Sequence, residues 1–301
     1  MSEAPLPGPP AVRDDAPADG AIDPSTERAA DAPVDFSALY DAHPEYIARR
    51  QGGSFEQSQI DIEVRLFKLP NLLAVLPGGG DGPGLSSVIE IGCATGELIA
   101  AFPVRAGGRR RGIDISAANI DVARARFAQV CFDCGDFRAL PESGAAPADA
   151  VILSDVLEHV PDDAEFLHDA AALADIVLIN LPLEDNWLNR RRRYGPDDVS
   201  GHLRKYSLVD GLALVQRAGL ELLCHRQVWV HESPAEAARR ALRRQRFGAA
   251  FAGTWPTRLL RQAVFTVATA VRPLGRRLFA SNLFVAARRK VAASAAAGPA
   301  P

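Results

Sequence analysis

The stretch Val88-Ile-Glu-Ile-Gly-Cys-Ala-Thr-Gly-Glu-Leu-Ile99 constrains this chain more than any other, because it runs from an apolar segment ending in a carboxylate through a glycine-bounded turn into a helix start. A short apolar run bounded by turn residues reads as a buried strand. Glycine at 92 and 96 lets the backbone turn sharply and pass close to a ligand, and the helix that follows offers unpaired N–H groups. The local reading is a nucleoside-binding loop at the start of a βαβ unit.

Two further carboxylates repeat the pattern. Asp114 closes Gly112-Ile-Asp-Ile-Ser116, one βαβ step after Glu90, at a distance that suits a ribose diol; Asp136 follows in Cys134-Gly-Asp-Phe137. Three successive strands that end in acid place those acids along one sheet edge, the carboxyl edge at which open α/β sheets bind ligands. A dinucleotide fingerprint, Gly-x-Gly-x-x-Gly, would need glycine at Ala94 and Glu97, so NAD is not the expected ligand.

From residue 85 onward, apolar runs alternate with helical stretches. The strands are expected at 87–91, 110–113, 130–133, 150–153, 176–181, 220–230 and 282–286. The predicted architecture is α/β: a Rossmann-like, doubly wound seven-stranded sheet, mostly parallel with an antiparallel last strand. A helical N-terminal cap and linker are predicted at 36–84, where Ile60, Val64, Phe67 and Leu72, with Leu66 and Leu73 alongside, recur at helical spacing. Residues 1–35 carry eight Asp or Glu and almost no large apolar side chain, and 291–301 are small and polar or Ala-rich; both are predicted to be disordered tails. The globular domain is expected at 85–290.

Within that domain, 231–281 is predicted to be a basic, amphipathic helical insertion before the last strand. Thirteen Arg and Lys and no acid follow Glu236, against a net charge of −3 for the whole chain. A helix over 257–280 would gather Arg258, Arg261, Arg272 and Arg276 opposite Leu260, Val264, Val267, Val271 and Leu278. Such a helix suits peripheral contact with an anionic membrane through residues 239–280. Its apolar face could equally pack on the chain's own core or on a second copy in a homo-oligomer. Few aromatics and no recognised motif argue against nucleic acid as a partner. The four cysteines form no disulfide-type framework, residues 1–10 lack a leader pattern, and no apolar run reaches about 18 residues. The expected location is therefore cytoplasmic, at the inner membrane face if the basic insertion binds lipid.

Glu90-Ile-Gly-Cys-Ala-Thr-Gly96, Gly112-Ile-Asp-Ile115, Gly135-Asp-Phe137 and Leu153-Ser-Asp-Val-Leu-Glu-His-Val160 together resemble the successive motifs of class I S-adenosylmethionine-dependent methyltransferases, over about residues 36–290. The resemblance implies S-adenosyl-L-methionine as cofactor. It implies that Glu90, Gly92, Cys93 and Gly96 lie on the methionine side, Asp114 with Ile115 at the ribose, Asp136 and Phe137 at adenine, and Ser154 and Asp155 beside the sulfonium. One departure is Ala94, where the family usually has glycine.

Two histidines are candidates for removing the acceptor's proton. His159 falls in the Leu-Glu-His-Val motif, where packing under the cofactor is the alternative; His202 falls in Gly201-His-Leu-Arg-Lys-Tyr-Ser207, where a structural clasp is the alternative. Asn180, Glu184, Asn186, Arg204 and Tyr206 are the expected substrate contacts, on loops at the ligand edge. Arg190 to Arg193 could grip an anionic group on the acceptor or form a solvated face. Cys131 and Cys134 lack a second ligand pair, and no metal site is predicted.

The 181–207 loops resemble methyltransferases of glycan and secondary-metabolite pathways, which implies a small-molecule acceptor methylated on an oxygen of a sugar or metabolite. A lipid-linked or quinone-like acceptor is the alternative that the basic insertion suggests. A catalytically silent S-adenosylmethionine-binding scaffold is the alternative from outside enzymology.

Overall fold

A computed structural model of the chain describes residues 53–78, 84–139, 147–187, 189–195, 200–248 and 279–290, with isolated positions elsewhere that include Asp41, Ile47, Arg50 and Asp198. The predicted tails at 1–35 and 291–301, and most of the predicted helix over 257–280, lie outside the described residues.

The sheet has seven strands: β1 (Ser87–Ile91), β2 (Arg109–Asp114), β3 (Cys131–Cys134), β4 (Ala148–Ser154), β5 (Ala174–Leu183), β6 (Leu220–Trp229) and β7 (Ser281–Arg289), in the order β3-β2-β1-β4-β5-β7-β6. The first five are parallel, and β7 runs antiparallel to both β5 and β6. All seven predicted strands are present, displaced by two residues or fewer at most ends. β7 is the exception in length, because its apolar core between β5 and β6 carries the pairing on to Arg289.

Chain order reverses direction at β1, whose neighbours are β2 and β4, so a crevice opens beyond the carboxyl ends of these strands. Both faces of the sheet are covered. One carries Ile91, Ile113, Val151, Leu153, Ile179 and Val285 against helices α5 (Asp163–Ala170) and α6 (Leu208–Arg217). Each such large side chain contributes on the order of 1.5–3 kcal/mol when fully buried. Burial on both faces explains why the central strands are almost continuously apolar.

The other face carries Val88, Ile152, Leu178 and Phe284 against α3 (Glu97–Ala101), α4 (Ala117–Arg126) and the N-terminal cap. The cap consists of α1 (Ser54–Glu63), a π-helical turn at Val64–Lys68, and α2 (Leu69–Val75). Ile60, Val64, Phe67 and Leu72 are buried as their spacing predicts, and Phe67 meets Phe284 edge-on at 5.5 Å. Leu66 differs: it is exposed, since the wider π turn moves it off the apolar face.

Helix α7 (Pro234–Phe247) opens the basic insertion, with Ser233 as its N-cap. It packs on the cap: Phe247 meets Phe55 at 5.5 Å and Arg239 approaches Glu63 at 3.6 Å. Among the described residues, no helix is long and apolar enough to cross a membrane.

Candidate functional site

A cavity of about 410 Å³ lies beyond the carboxyl ends of β1, β2 and β4, lined by Glu90, Gly92, Cys93, Asp114, Ile115, Asp136, Phe137, Ser154, Asp155 and His159. Nine of the ten residues expected at the cofactor are thereby brought together. The tenth, Gly96, sits behind the wall: its φ is +86°, and a Cβ there would meet the Phe132 ring at 2.7 Å, so it shapes the turn without facing the cavity. Gly92, at φ +73°, has no room for a Cβ either, because Val156 Cγ2 would stand 2.5 Å away.

Ala94 adopts φ +46°. The left-handed conformation costs a residue bearing Cβ about 1–2 kcal/mol, so the missing family glycine leaves strain in the loop. The Asp114 carboxylate, buried at the end of β2, holds that loop: Oδ2 accepts from the Ala94 N–H at 2.8 Å, and Oδ1 from the Ser116 N–H at 2.9 Å. Burial raises its pKa above the usual carboxylate range, against those hydrogen bonds. Asp136 has the opposite balance, since the Arg138 guanidinium donates to Oδ1 at 3.1 Å and to Oδ2 at 2.7 Å and holds its pKa below the ordinary value.

Glu90 is 3% exposed, and its Oε2 has no hydrogen-bond partner among the described residues. Burial pushes its pKa up to about 8, with Lys68 pulling the other way. An acid shifted upward keeps, in the folded chain, a proton that the unfolded chain has already lost. Stability should therefore fall as pH rises from the ordinary carboxylate range toward 8 and then level off. Glu90→Gln is expected to flatten that fall, read as melting temperature from about pH 5 to about pH 8. A drop equally steep in the variant would mean that other groups cause it.

Asp155 is the site's second positive-φ residue without glycine, at +57°. Its Oδ2 accepts from Asn180 Nδ2 at 3.1 Å and pairs with Lys68 Nζ at 2.7 Å; Asn180 is itself held by Asn282 Nδ2 at 2.8 Å. Asn180 thus lies beneath Asp155, fully buried. Lys68, with Ile60 and Val64, brings the cap to the cavity wall, and sequence reasoning missed it. The available signal was a lysine at the i+8 position of the apolar stripe from Ile60.

His159 lines the cavity and places Nδ1 3.0 Å from the Gly201 carbonyl. Burial, then the proximity of His202, pushes its pKa down to about 4, so it is a neutral imidazole at neutral pH. His202 lies behind it, the two rings edge-on with centroids 4.7 Å apart. Nδ1 of His202 is 2.6 Å from Glu184 Oε2, and Glu184 Oε1 accepts from Arg192 at 2.6 Å.

The remaining expected substrate contacts do not line the cavity. Tyr206 Oη lies 2.7 Å from Asp163 and 3.1 Å from the Leu157 carbonyl, Arg204 bonds the Pro161 carbonyl at 2.5 Å, and the Asn186 side chain accepts from the Asn189 N–H. They anchor the 184–206 loops. Of the arginine run, Arg192 is paired with Asp198 and Glu184, and Arg190 stacks over Trp187 at 4.1 Å. Cys131 and Cys134 are three apart on one strand, which turns them to opposite faces.

A doubly wound sheet with this strand order, an antiparallel β7 and an acid-lined cavity beyond β1 and β2 is the architecture of a class I methyltransferase. The methyltransferase-domain family matches residues 59–225, more than half of the chain, and the chain belongs to that family, whose class I members take the methyl group from S-adenosylmethionine. Two curated relatives, the ubiquinone biosynthesis O-methyltransferases of Caulobacter vibrioides and Alkalilimnicola ehrlichii, are 36% and 34% identical over 91 and 90 residues, 29% of this chain in each case. The match spans 36% of each relative's length.

Among solved structures, the cyclopropane synthase MmaA2 of Mycobacterium tuberculosis is similar with a TM-score of 0.53 at 14% identity, covering 83% of this chain and 96% of that one. The methyltransferase in complex with the Haloferax volcanii Trm112 activator gives 0.53 at 18% identity, covering 87% and 100%. At these identities the likeness is one of fold. The residues present fit S-adenosylmethionine: the partnerless Glu90 oxygen suits an ammonium, and the acids around the cavity suit a cationic nucleoside.

Proposed function

We propose that the chain methylates a ring hydroxyl of a quinone-like small molecule, with the donor along the carboxyl ends of β1 to β3 and the acceptor against His159. The observation that carries this reading is the buried Asp114 carboxylate, which shares one cavity with Glu90 and His159. In this assignment Asp114, with Ile115, takes the ribose hydroxyls, and Glu90, with Gly92 and Cys93, takes the methionine end. Asp136 and the Phe137 backbone take adenine, and Ser154 and Asp155 flank the sulfonium.

S-adenosylmethionine, when bound, supplies a methyl carbon open to in-line displacement. The chain's own work is to hold the acceptor oxygen in line with it and to receive the proton, which alignment and a placed base accomplish. His159, neutral and at the wall, is the group assigned to that proton, and His202 stands behind it. Two observations favour a ring hydroxyl over a sugar: the apolar wall of Ile60, Val64, Val156, Val160 and Phe166, and the curated relatives named for ubiquinone biosynthesis.

His159→Ala is expected to lower kcat toward a phenolic acceptor by about 10²-fold while leaving the KM for S-adenosylmethionine unchanged. Turnover of sugars alone, or full activity in the variant, would overturn the assignment.

A second observation bears on how a lipid-linked acceptor would reach the site. Leu259, Val264, Val267 and Val271 are between 45% and 56% exposed, within the arginine-rich insertion. Apolar side chains among arginines suit an anionic lipid surface. The protein is expected to sediment with vesicles containing anionic lipid at low salt and to be released near 1 M salt, where the screening length is about 3 Å. Equal sedimentation with neutral vesicles, or none with either, would exclude an electrostatic membrane contact.

A further inference from the structure

Glu158 is a group that the reading above leaves without a task. It is 1% exposed, and neither carboxylate oxygen has a hydrogen-bond partner among the described residues. A buried carboxylate without donors is costly whether ionised or protonated, because the protonated form also needs somewhere to direct its O–H. The group nearest to it in kind is His159, whose Nε2 stands 3.8 Å from Glu158 Oε1. Glu158, His159 and His202 each bring one ligand-type atom within 4.8 Å of the others.

The proton positions on both imidazoles follow from their neighbours. The Gly201 carbonyl can only accept, so Nδ1 of His159 carries the hydrogen and Nε2 the lone pair. Glu184, already accepting from Arg192, does the same for His202 through Nδ1. Histidines that bind metal are held in this way, with the far ring nitrogen donating to a carboxylate or a carbonyl.

We propose that Glu158, His159 and His202 form a binding site for a divalent transition-metal ion of the zinc and cobalt class, with Glu184 and the Gly201 carbonyl orienting the two imidazoles. Two nitrogens and one carboxylate are the donor set of three-ligand sites that keep a further position open; ions that demand all-oxygen ligands, such as magnesium and calcium, do not match it. Bonds of about 2.0–2.1 Å place tetrahedral ligand atoms roughly 3.4 Å apart. The 3.8 Å between His159 and Glu158 therefore needs only a small side-chain adjustment. Since His159 lines the cavity, the ion would stand at its wall. An ion on Nε2 would occupy the lone pair that in the metal-free site takes the acceptor's proton, so with the ion bound an acceptor hydroxyl in its open position would be acidified and lose its proton to water instead. That role rests on the acceptor reading above, and binding itself rests only on these residues.

The test is a titration of the untagged, chelator-stripped full chain with Co²⁺, read by its visible d–d absorption and back-titrated with Zn²⁺. The expected result is one Co²⁺ per chain, displaced by Zn²⁺, lost in both Glu158→Gln and His202→Ala, and retained in Asp114→Ala. Glu184→Gln, which replaces the carboxylate shared by His202 and Arg192 with a neutral amide, should weaken binding about 10–100-fold. No absorption at stoichiometric Co²⁺, or absorption unchanged in Glu158→Gln and His202→Ala, would overturn the proposal. If Glu158→Gln does not fold, His202→Ala decides alone. Titrating the same samples with S-adenosylmethionine separates the two readings, because the methyltransferase assignment fails only if that ligand does not bind.

Discussion

Asp114→Ala is expected to weaken S-adenosylmethionine and its demethylated product alike by roughly 10²–10⁴-fold, measured by equilibrium dialysis with labelled ligand. In the proposed assignment a ribose diol would donate two hydrogen bonds to this carboxylate, and bonds to a charged group are worth about 1.5–3 kcal/mol each. The carboxylate also accepts from the Ala94 and Ser116 N–H groups, so removal loosens the strained turn at Ala94 as well. Asp114→Asn keeps the shape and loses the charge, and it should fall between. If both variants bind as the parent does, the ribose lies elsewhere and the placement of the donor along β2 is wrong.

Tyr206→Ala is expected to cost about 3–5 kcal/mol in urea unfolding, the range for deleting a buried aromatic side chain. Tyr206 is 2% exposed and packs in the core beside α6. Its hydroxyl has one proton to give, and Asp163 at 2.7 Å is better placed for it than the Leu157 carbonyl at 3.1 Å. Asp163 also pairs with Arg204 and Arg217, so the tyrosine completes a buried anchor for the chain that carries His202. Tyr206→Phe should cost only about 1–2 kcal/mol, because the packing stays and one hydrogen bond goes. Equal losses in the two variants would show that the hydroxyl, and not the ring, holds the loop.

The central strands and the acids that line the cavity were legible from short stretches of sequence. Glu90 stands out as an acid within the apolar strand β1, while β2 opens on three arginines and Asp114 was marked instead by the Gly-Ile-Asp that closes it one βαβ step later; both acids line the cavity. The start of α6 is equally local, since Ser207 closes a capping box with Asp210 three residues on. What could not be read depends on pairs far apart in sequence. Tyr206 and Arg204 stand at the ligand edge, yet they face Asp163 and Pro161. Lys68 reaches Asp155 only because a π turn rotates it inward from a helix that precedes the sheet. Gly96 carries the family pattern while serving Phe132, a packing duty that its motif does not distinguish from ligand contact. Glu158 and His202, more than 40 residues apart in sequence, meet only through the loop that follows β5.

The central claim is that the cavity beyond β1 and β2 holds S-adenosylmethionine, and the most direct measurement is calorimetric titration of the unmodified protein with S-adenosylmethionine, its demethylated product and NAD. The structure predicts saturable one-to-one binding of the first two and none of NAD, since Ala94 and Glu97 occupy two of the three glycine positions of a dinucleotide fingerprint. Binding of NAD, or of none of the three, would contradict it.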